Sequence, residues 1–559
     1  MDNGQIGSFL DLVEHAIKEY WDLDALTDYE GATLQYKDVA RKIEKMHILF
    51  EAAGVSKGDK ISICGRNSSQ WAAAYISVLT YGAVAVPILH DFTPEQIYNI
   101  VGHSESKLLF VGDQVWPSLD ADRMPALDGI IGLQDFSLIV GRNDKIVNAR
   151  NRLNELFGRK FPKNFRREHV SYRRDEPNEL AMINYTSGTT SQSKGVMIPY
   201  RAIWSNMDFA NSVLKICVHK GSRVVSILPM AHMYGMAVEF LYEFISGAHI
   251  FFLTKNPSPT IIFNAFGKVK PNLIVSVPLI IEKALRRAVL PKLQTPTMKL
   301  LVRMPYIKEK VATAIGNQLT EAFGGNFYEV LIGGAPLNRD IEEFLRRIHF
   351  RYTVGYGLTE CAPFITYADW KMNPIGSCGR PVKHMEVKID SPDPTKIPGE
   401  ILCRGINVML GYYKNPQATA EVIGKDGWLH TGDLGLMDEY GYVYIKGRSK
   451  HMLLGSSGQN IYPEEVEGKL NMLPYVEESI MIQKGNRFYG LVYPSEELVK
   501  RDGLTRTRLA EIMEQNRREL NSELPGYSQL SGIRIVNHEF EKTPKRSIKR
   551  YLYADYDVS

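Results

Sequence analysis

Residues 59–87 read DKISICGRNSSQWAAAYISVLTYGAVAVP, and their pattern sets the fold class. Asp59-Lys-Ile-Ser-Ile-Cys64 reads as a strand. Ser69 to Thr80 reads as a helix capped by Asn67 or Ser68, and Ala83-Val-Ala-Val-Pro87 as a second, buried strand. Strand, helix and strand within about 30 residues predict a parallel βαβ unit. The alternation recurs: apolar Arg223 to Leu228, a helical Ala237 to Ser246, His249 to Leu253, then Pro271 to Val277 and Glu329 to Ile332. The bulk of the chain is therefore expected to be α/β, with mixed sheets in a large N-terminal part.

With 559 residues the chain exceeds what one hydrophobic core usually organises, so two or more domains are expected. Gly and charged residues cluster in Tyr440-Gly-Tyr-Val-Tyr-Ile-Lys-Gly-Arg-Ser-Lys450, which places a boundary at Lys450: residues 1–449 form one domain and residues 450–559 a small α+β one. Lys and Arg total 67 against 63 Asp and Glu, a net charge of +4, which gives no electrostatic case for nucleic acid or a membrane surface. Five widely spaced cysteines with no C-x-x-C pair fit neither a disulfide framework nor a zinc site and suggest a reducing, cytoplasmic setting. The first 20 residues lack the order of a signal peptide, and no transmembrane run is expected.

A second stretch carries the chemistry. Tyr185-Thr-Ser-Gly-Thr-Thr-Ser-Gln-Ser-Lys-Gly195 follows the apolar Leu180 to Ile183 and gathers small residues and hydroxyls around one lysine. Gly188 and Gly195 let the backbone approach a ligand, Thr186, Ser187, Thr189, Thr190 and Ser191 offer hydroxyl donors, and Lys194 supplies a charge. That composition suits a polyphosphate such as ATP. It is not the G-x-x-x-x-G-K-[ST] loop, because Ser193 precedes Lys194 and Gly195 follows it.

Further pieces line up along the chain: Pro229-Met-Ala-His-Met-Tyr-Gly235, Gly333-Gly-Ala-Pro-Leu337, Val354-Gly-Tyr-Gly-Leu-Thr-Glu360, Gly399-Glu-Ile-Leu-Cys-Arg-Gly405, His430-Thr-Gly-Asp-Leu-Gly435 and Gly447-Arg-Ser-Lys450. In this order they resemble the adenylate-forming superfamily of acyl-CoA synthetases, firefly luciferases and peptide-synthetase adenylation domains. The chain is most similar to bacterial long-chain fatty-acyl-CoA ligases, and the resemblance covers nearly its whole length. It implies a mobile C-terminal domain, Mg²⁺ as cofactor, and ATP, coenzyme A and a fatty acid as substrates.

The resemblance also implies roles. Lys194 would meet the β- and γ-phosphates, Glu360 would hold magnesium, and the Thr359 hydroxyl would lie near the α-phosphate. Tyr356 would stack on adenine beside Gly357 and against the wall of Gly333, Gly334 and Ala335. Asp433 and Arg448 would hold the ribose, and His232 would orient the carboxylate. Lys450 would be the hinge and Gly458 would admit the pantetheine arm. Tyr234, Gly235 and Met236 would line the acyl pocket, with Val238, Val275 to Pro278 and Ile332 to Ala335 near it, residues that core packing would equally require.

One departure stands out. The family's C-terminal motif P-K-T-x-x-G-K-I-x-R has a lysine where this chain has Ser547, within Glu541-Lys-Thr-Pro-Lys-Arg-Ser-Ile-Lys-Arg550. If the stretch is extended, Lys545, Ser547 and Lys549 share a face, and Lys545 or Lys549 replaces the missing amine. The reading is an ATP-dependent fatty acid–CoA ligase, with a homodimer as a possible assembly. An aryl-CoA ligase, an acyl-carrier-protein ligase, or a catalytically impaired homologue that binds nucleotide and acyl group are the alternatives.

Overall fold

The computed structural model describes residues 6–186, 194–254, 258–288, 305–454, 459–543 and 548–558. The expected βαβ unit is present. Lys60–Cys64 and Val84–Ile88 run parallel, with Ile61 opposite Ala85, on either side of the Ser69–Tyr81 helix. Of the two cap candidates, Ser68 caps: its hydroxyl accepts from the Trp71 N–H at 3.1 Å, and Gly82 ends the helix at φ 94°. The helix is nearly all buried, as its run of Ala, Ile, Val and Leu demands.

This unit lies in an eight-stranded sheet. Its order is Gly411–Tyr412, Lys194–Pro199, Leu180–Thr186, Val84–Ile88, Lys60–Cys64, Ser106–Val111, Gly129–Gly132 and Leu138–Gly141. The central strands are parallel, and the two edges turn antiparallel. A four-stranded sheet places Arg223–Ser226, His249–Phe252 and Asp24–Asp28 in parallel, and a three-stranded one does the same for Ile274–Ser276, Val330–Ile332 and Tyr352–Val354. A four-stranded antiparallel sheet holds Met385–Asp390, Gly399–Gly405, Leu429–Met437 and Val443–Arg448. Around them one continuous apolar core runs from Phe9 to Val443. The helix expected from Ala237 begins at Gly235, and its first part, Gly235–Leu241, winds as a π-helix before Tyr242–Ile245 continues as α-helix.

Beyond Leu453 the chain packs around its own core, centred on Ile461, Val466, Met481, Phe488, Val492 and Met513. A three-stranded sheet of Val476–Lys484, Arg487–Pro494 and Leu530–Ile535 carries the helix Arg506–Glu523 on it, an α+β arrangement. Polar contacts mark the seam with the rest of the molecule. Asn338 Nδ2 donates to the Gly468 carbonyl at 2.5 Å, and Lys446 pairs with Glu465 at 3.0 Å. Close to the seam, His451 meets Glu464 at 2.7 Å.

The extended run expected across 545–549 is not what its flanks adopt. Lys542 pairs antiparallel with Ile548, and the Lys549 N–H donates to the Glu541 carbonyl at 2.8 Å, so the two flanks oppose each other rather than continue one strand. Lys545 and Ser547, on which the expected alternation with Lys549 turns, lie outside the described residues. Arg550 anchors the second flank on the buried carboxylate of Glu467, Nη1 to Oε1 2.7 Å.

Candidate active site

Three of the motifs leave the carboxyl ends of parallel strands, the edge at which open α/β sheets place their ligands. Ser226 leads to the His232 loop, Ile332 to Gly333-Gly334, and Val354 to Gly355-Tyr356. Asn67, freed from capping duty, clamps the first of these loops. Its Nδ2 donates to the Leu228 carbonyl at 2.6 Å and its Oδ1 accepts from the Met230 N–H at 2.8 Å. From the neighbouring sheet Asn184 Nδ2 donates to the Ala231 carbonyl at 3.0 Å. The loop closes through His232, whose N–H donates to the Pro229 carbonyl and whose carbonyl accepts from Met236, both at 2.9 Å. At Gly235 a Cβ would stand 2.7 Å from the Pro229 oxygen, so no larger residue fits that turn unchanged. The His232 ring is half-buried.

Three predicted nucleotide-binding residues form one cluster. Asp433 and Arg448 face each other as antiparallel partners, and the Arg448 Nε lies 3.1 Å from Asp433 Oδ1. The other carboxyl oxygen, Oδ2, accepts from the Tyr356 hydroxyl at 2.7 Å. Asp433 is only 5% exposed. Burial pushes its carboxyl up and the Arg448 charge pulls it back. Gly357, next to Tyr356, lies so close to Pro363 that a Cβ would sit 2.2 Å from the proline oxygen.

A second group lies around Glu360, which follows the buried Thr359 in a short 3₁₀ turn. Glu360 Oε1 accepts from the Tyr412 hydroxyl at 3.0 Å, and the Glu360 carbonyl accepts from the Met409 N–H at 2.8 Å. The ring of the same Tyr412 carries Lys194 Nζ at 4.8 Å from its centroid. Thr186 and Lys194 are opposite each other where the Leu180–Thr186 and Lys194–Pro199 strands pair. Among the described residues no group of three or more His, Cys, Asp or Glu side chains is assembled. A cation in this place would draw on the Glu360 carboxylate together with ligand oxygens, a donor set that suits Mg²⁺.

The residues expected at the acyl pocket are packed. Met236, Val238, Val275 and Ile332 belong to the continuous core and are almost fully buried. The Tyr234 hydroxyl donates to the Leu331 carbonyl at 2.9 Å, and a Cβ on Gly333 would touch the Tyr234 ring at 3.1 Å, which ties the His232 loop to the glycine wall. Gly334 takes φ 82° and, with Ala335, is exposed. One turn along the π-helix, buried Glu239 accepts through Oε2 from the Ile227 and Leu228 N–H groups at 3.0 and 2.9 Å, with its carboxyl pushed up to about 8 by burial. Burial also raises Glu243, neither of whose carboxyl oxygens has a hydrogen-bond partner among the described residues.

Lys450 is exposed in the turn Ser449–His451. Lys549 reaches Glu541 at 3.3 Å, with both on the C-terminal unit. Ser187, Gly188, Thr189, Thr190, Gly458, Lys545 and Ser547 lie outside the described residues. Sequence reasoning missed Asn67 as a loop clamp, Asn184, Glu239 and Tyr412. For Tyr412 a signal existed in Gly411-Tyr412 followed by Thr419: Gly411 takes φ 137° against the Thr419 side chain, and the Thr419 hydroxyl accepts from the Tyr412 N–H at 2.8 Å.

This constellation is that of an adenylate-forming enzyme. The AMP-binding enzyme family matches residues 13–413, and the chain belongs to it. A long-chain-fatty-acid–CoA ligase of Mycobacterium bovis is 27% identical, over 81% of this chain and 76% of its own. One of Escherichia coli O157:H7 is 26% identical, over 84% and 82%. The crystal structure of an anthranilate CoA ligase in complex with anthranoyl-AMP superposes with a TM-score of 0.77 at 17% identity, covering 99% of this chain and 97% of that one. That likeness concerns the fold.

Proposed function

We propose that the protein is an ATP-dependent acyl-CoA ligase that takes a medium- or long-chain fatty acid to its coenzyme A thioester. A carboxylate cannot acylate a thiol directly, because its leaving group would be oxide. In the first step a carboxylate oxygen attacks the α-phosphorus of ATP. The bond to the bridging oxygen breaks, pyrophosphate leaves, and acyl-AMP remains. In the second the coenzyme A sulfur attacks the acyl carbonyl, its proton is lost, and AMP departs with the electron pair of the cleaved C–O bond.

The observation that carries this reading is the joint placement of Tyr356, Asp433 and Arg448 with Glu360, Tyr412 and Lys194. Asp433 holds acceptor capacity for ribose hydroxyls, with Arg448 beside it. Tyr356, beside Gly357, offers its ring to adenine. Lys194 meets the β- and γ-phosphates with its ammonium, supported by the hydroxyls of Thr186, Ser187, Thr189 and Thr190 and the backbone at Gly188. Glu360 supplies the carboxylate for Mg²⁺, with the Thr359 hydroxyl near the α-phosphate. Magnesium, when bound, offsets phosphate charge as the α-phosphorus is attacked. His232, presented by its clamped loop, orients the acid. Lys450 serves as the hinge about which residues 450–559 turn between the two steps, and Gly458 lets the thiol arm pass. Lys545, ahead of Lys549, supplies the amine that Ser547 does not.

Support for a fatty acyl substrate comes from the two curated relatives and from the apolar surroundings of Tyr234, Gly235 and Met236. Burying each methylene is worth about 0.8 kcal/mol, so a few carbons decide preference. The test is acid-dependent exchange of labelled pyrophosphate into ATP across fatty and aryl acids, followed by thioester formation with coenzyme A or a carrier protein. Exchange with fatty acids and transfer to coenzyme A is the expected result. Exchange with aryl acids alone overturns the substrate, and nucleotide binding without exchange overturns the activity.

A further inference from the structure

Tyr412 stands between the two charges that the proposed chemistry needs most. Its hydroxyl donates to Glu360 Oε1 at 3.0 Å, and Lys194 Nζ lies 4.8 Å from the centre of its ring. The backbone of the residue is fixed independently of both contacts. Gly411 and Tyr412 pair with Met197 and Val196 on the strand that begins at Lys194. The Tyr412 N–H is held by the Thr419 hydroxyl, and the following N–H of Tyr413 donates to the Gly195 carbonyl at 2.8 Å. Met409, a few residues earlier, donates its N–H to the carbonyl of Glu360. One short segment thus grips the lysine strand on one side and the glutamate turn on the other.

The chemistry of the side chain suits a spacer. A lysine and a glutamate left in reach of each other form an ion pair, and each then satisfies the other instead of a ligand. An aromatic face attracts an ammonium without cancelling its charge. A phenol hydroxyl occupies one lone pair of a carboxylate and leaves the second oxygen available.

The geometry points to Tyr412 as a positioning residue that holds Lys194 and Glu360 apart and aimed, the lysine for the phosphates and the carboxylate for magnesium. This rests on the reading of those two residues given above. The chemical class it serves is the magnesium complex of a nucleoside triphosphate.

The test uses the full-length protein, Tyr412→Phe, Tyr412→Leu, and Tyr413→Phe as a neighbouring control. Binding of ATP is titrated by calorimetry without any acid, at a series of magnesium concentrations, and acid-dependent pyrophosphate exchange is measured alongside. Tyr412→Phe is expected to raise the half-saturating magnesium concentration about tenfold, the scale of one hydrogen bond to a charged group. Tyr412→Leu is expected to weaken ATP binding about threefold further, through loss of the ring under the ammonium. Tyr413→Phe is expected to match the wild type. A purely structural role would lower the melting temperature without moving the magnesium dependence. If both Tyr412 variants share the wild-type magnesium and ATP titrations, the inference is overturned. If the titrations shift as expected while the wild type shows no pyrophosphate exchange with any acid offered, the role of Tyr412 stands and the ligase reading falls.

Discussion

The polar cluster around Asp433 and Glu360 and the apolar packing around Met236 are built on opposite terms. Around Asp433 and Glu360 the side chains are wired to one another: a carboxylate shared by a phenol and a guanidinium, and a phenol shared by a carboxylate and an ammonium. Around Met236 the side chains are simply packed, and Glu239, along the helix, accepts from the Ser226 hydroxyl and from the Ile227 and Leu228 N–H groups just past the Arg223–Ser226 strand. The first arrangement is organised before a ligand arrives. The second is filled by protein.

Four outcomes would break or sharpen that contrast. The largest concerns Asp433→Ala, which removes the common partner of Tyr356 and Arg448. With one hydrogen bond to a charged group and one partly buried ion pair lost, kcat/KM for ATP in pyrophosphate exchange should fall by about 100-fold or more. A loss confined to the acid KM would mean that the cluster does not serve the nucleotide. Next comes Met236→Ala. A fully buried methionine truncated to alanine should cost about 2–5 kcal/mol of unfolding free energy in a urea titration. If Met236 also lines the acyl path, the same variant should gain about fourfold in affinity for each methylene that fills the space. A stability loss with an unchanged chain-length profile assigns the residue to packing alone.

The third is a pH effect on the apolar side. The Glu239 carboxyl is pushed up to about 8 from 4.5, so between those values the folded state holds a proton that the unfolded chain has lost. Its contribution to stability is complete below about pH 4.5 and fades as pH rises through 8. Glu329, at about 7, adds in the same direction. Melting temperature should therefore fall between about pH 5 and 8, and less steeply in Glu239→Gln. An equal slope in both proteins would mean that the carboxyl ionises as readily as in water. The smallest effect belongs to Lys549→Ala, which loses a partly exposed pair with Glu541 worth about 0–1 kcal/mol. Lys545→Ala is expected to slow adenylation more than Lys549→Ala. Equal wild-type rates in both and in the double variant would remove the amine-replacement proposal.

The residues of the polar cluster were singled out through the order of their motifs and the resemblance it carries; alone, Thr359-Glu360 reads as a surface pair and Asp433 as a Gly-flanked turn, whereas the structure places Asp433 in the strand Leu429–Met437 opposite Arg448. The βαβ unit followed from alternation of apolar runs alone. The apolar side was hidden. Tyr234, Met236 and Val238 read the same whether they line a tunnel or fill a core, since both ask for the same surface. Asn67 was read from the sequence only as a cap candidate beside Ser68, and only the fold brings Leu228 and Met230 to its amide. Tyr412 stayed unseen because a Gly-Tyr pair is common and its two partners are far away in the chain. The antiparallel bridge between Lys542 and Ile548 was not read because the sequence shows no partner for either residue.

The seam beneath the last 110 or so residues has a mechanical meaning. The clasps described there are an amide on a carbonyl at Asn338 and Gly468 and a lysine on a glutamate at Lys446 and Glu465, groups that water and dissolved ions can take over with little loss. Raised ionic strength should weaken the Lys446–Glu465 pair, while Met472, which reaches from the small unit onto the larger apolar core, is a contact that salt does not screen.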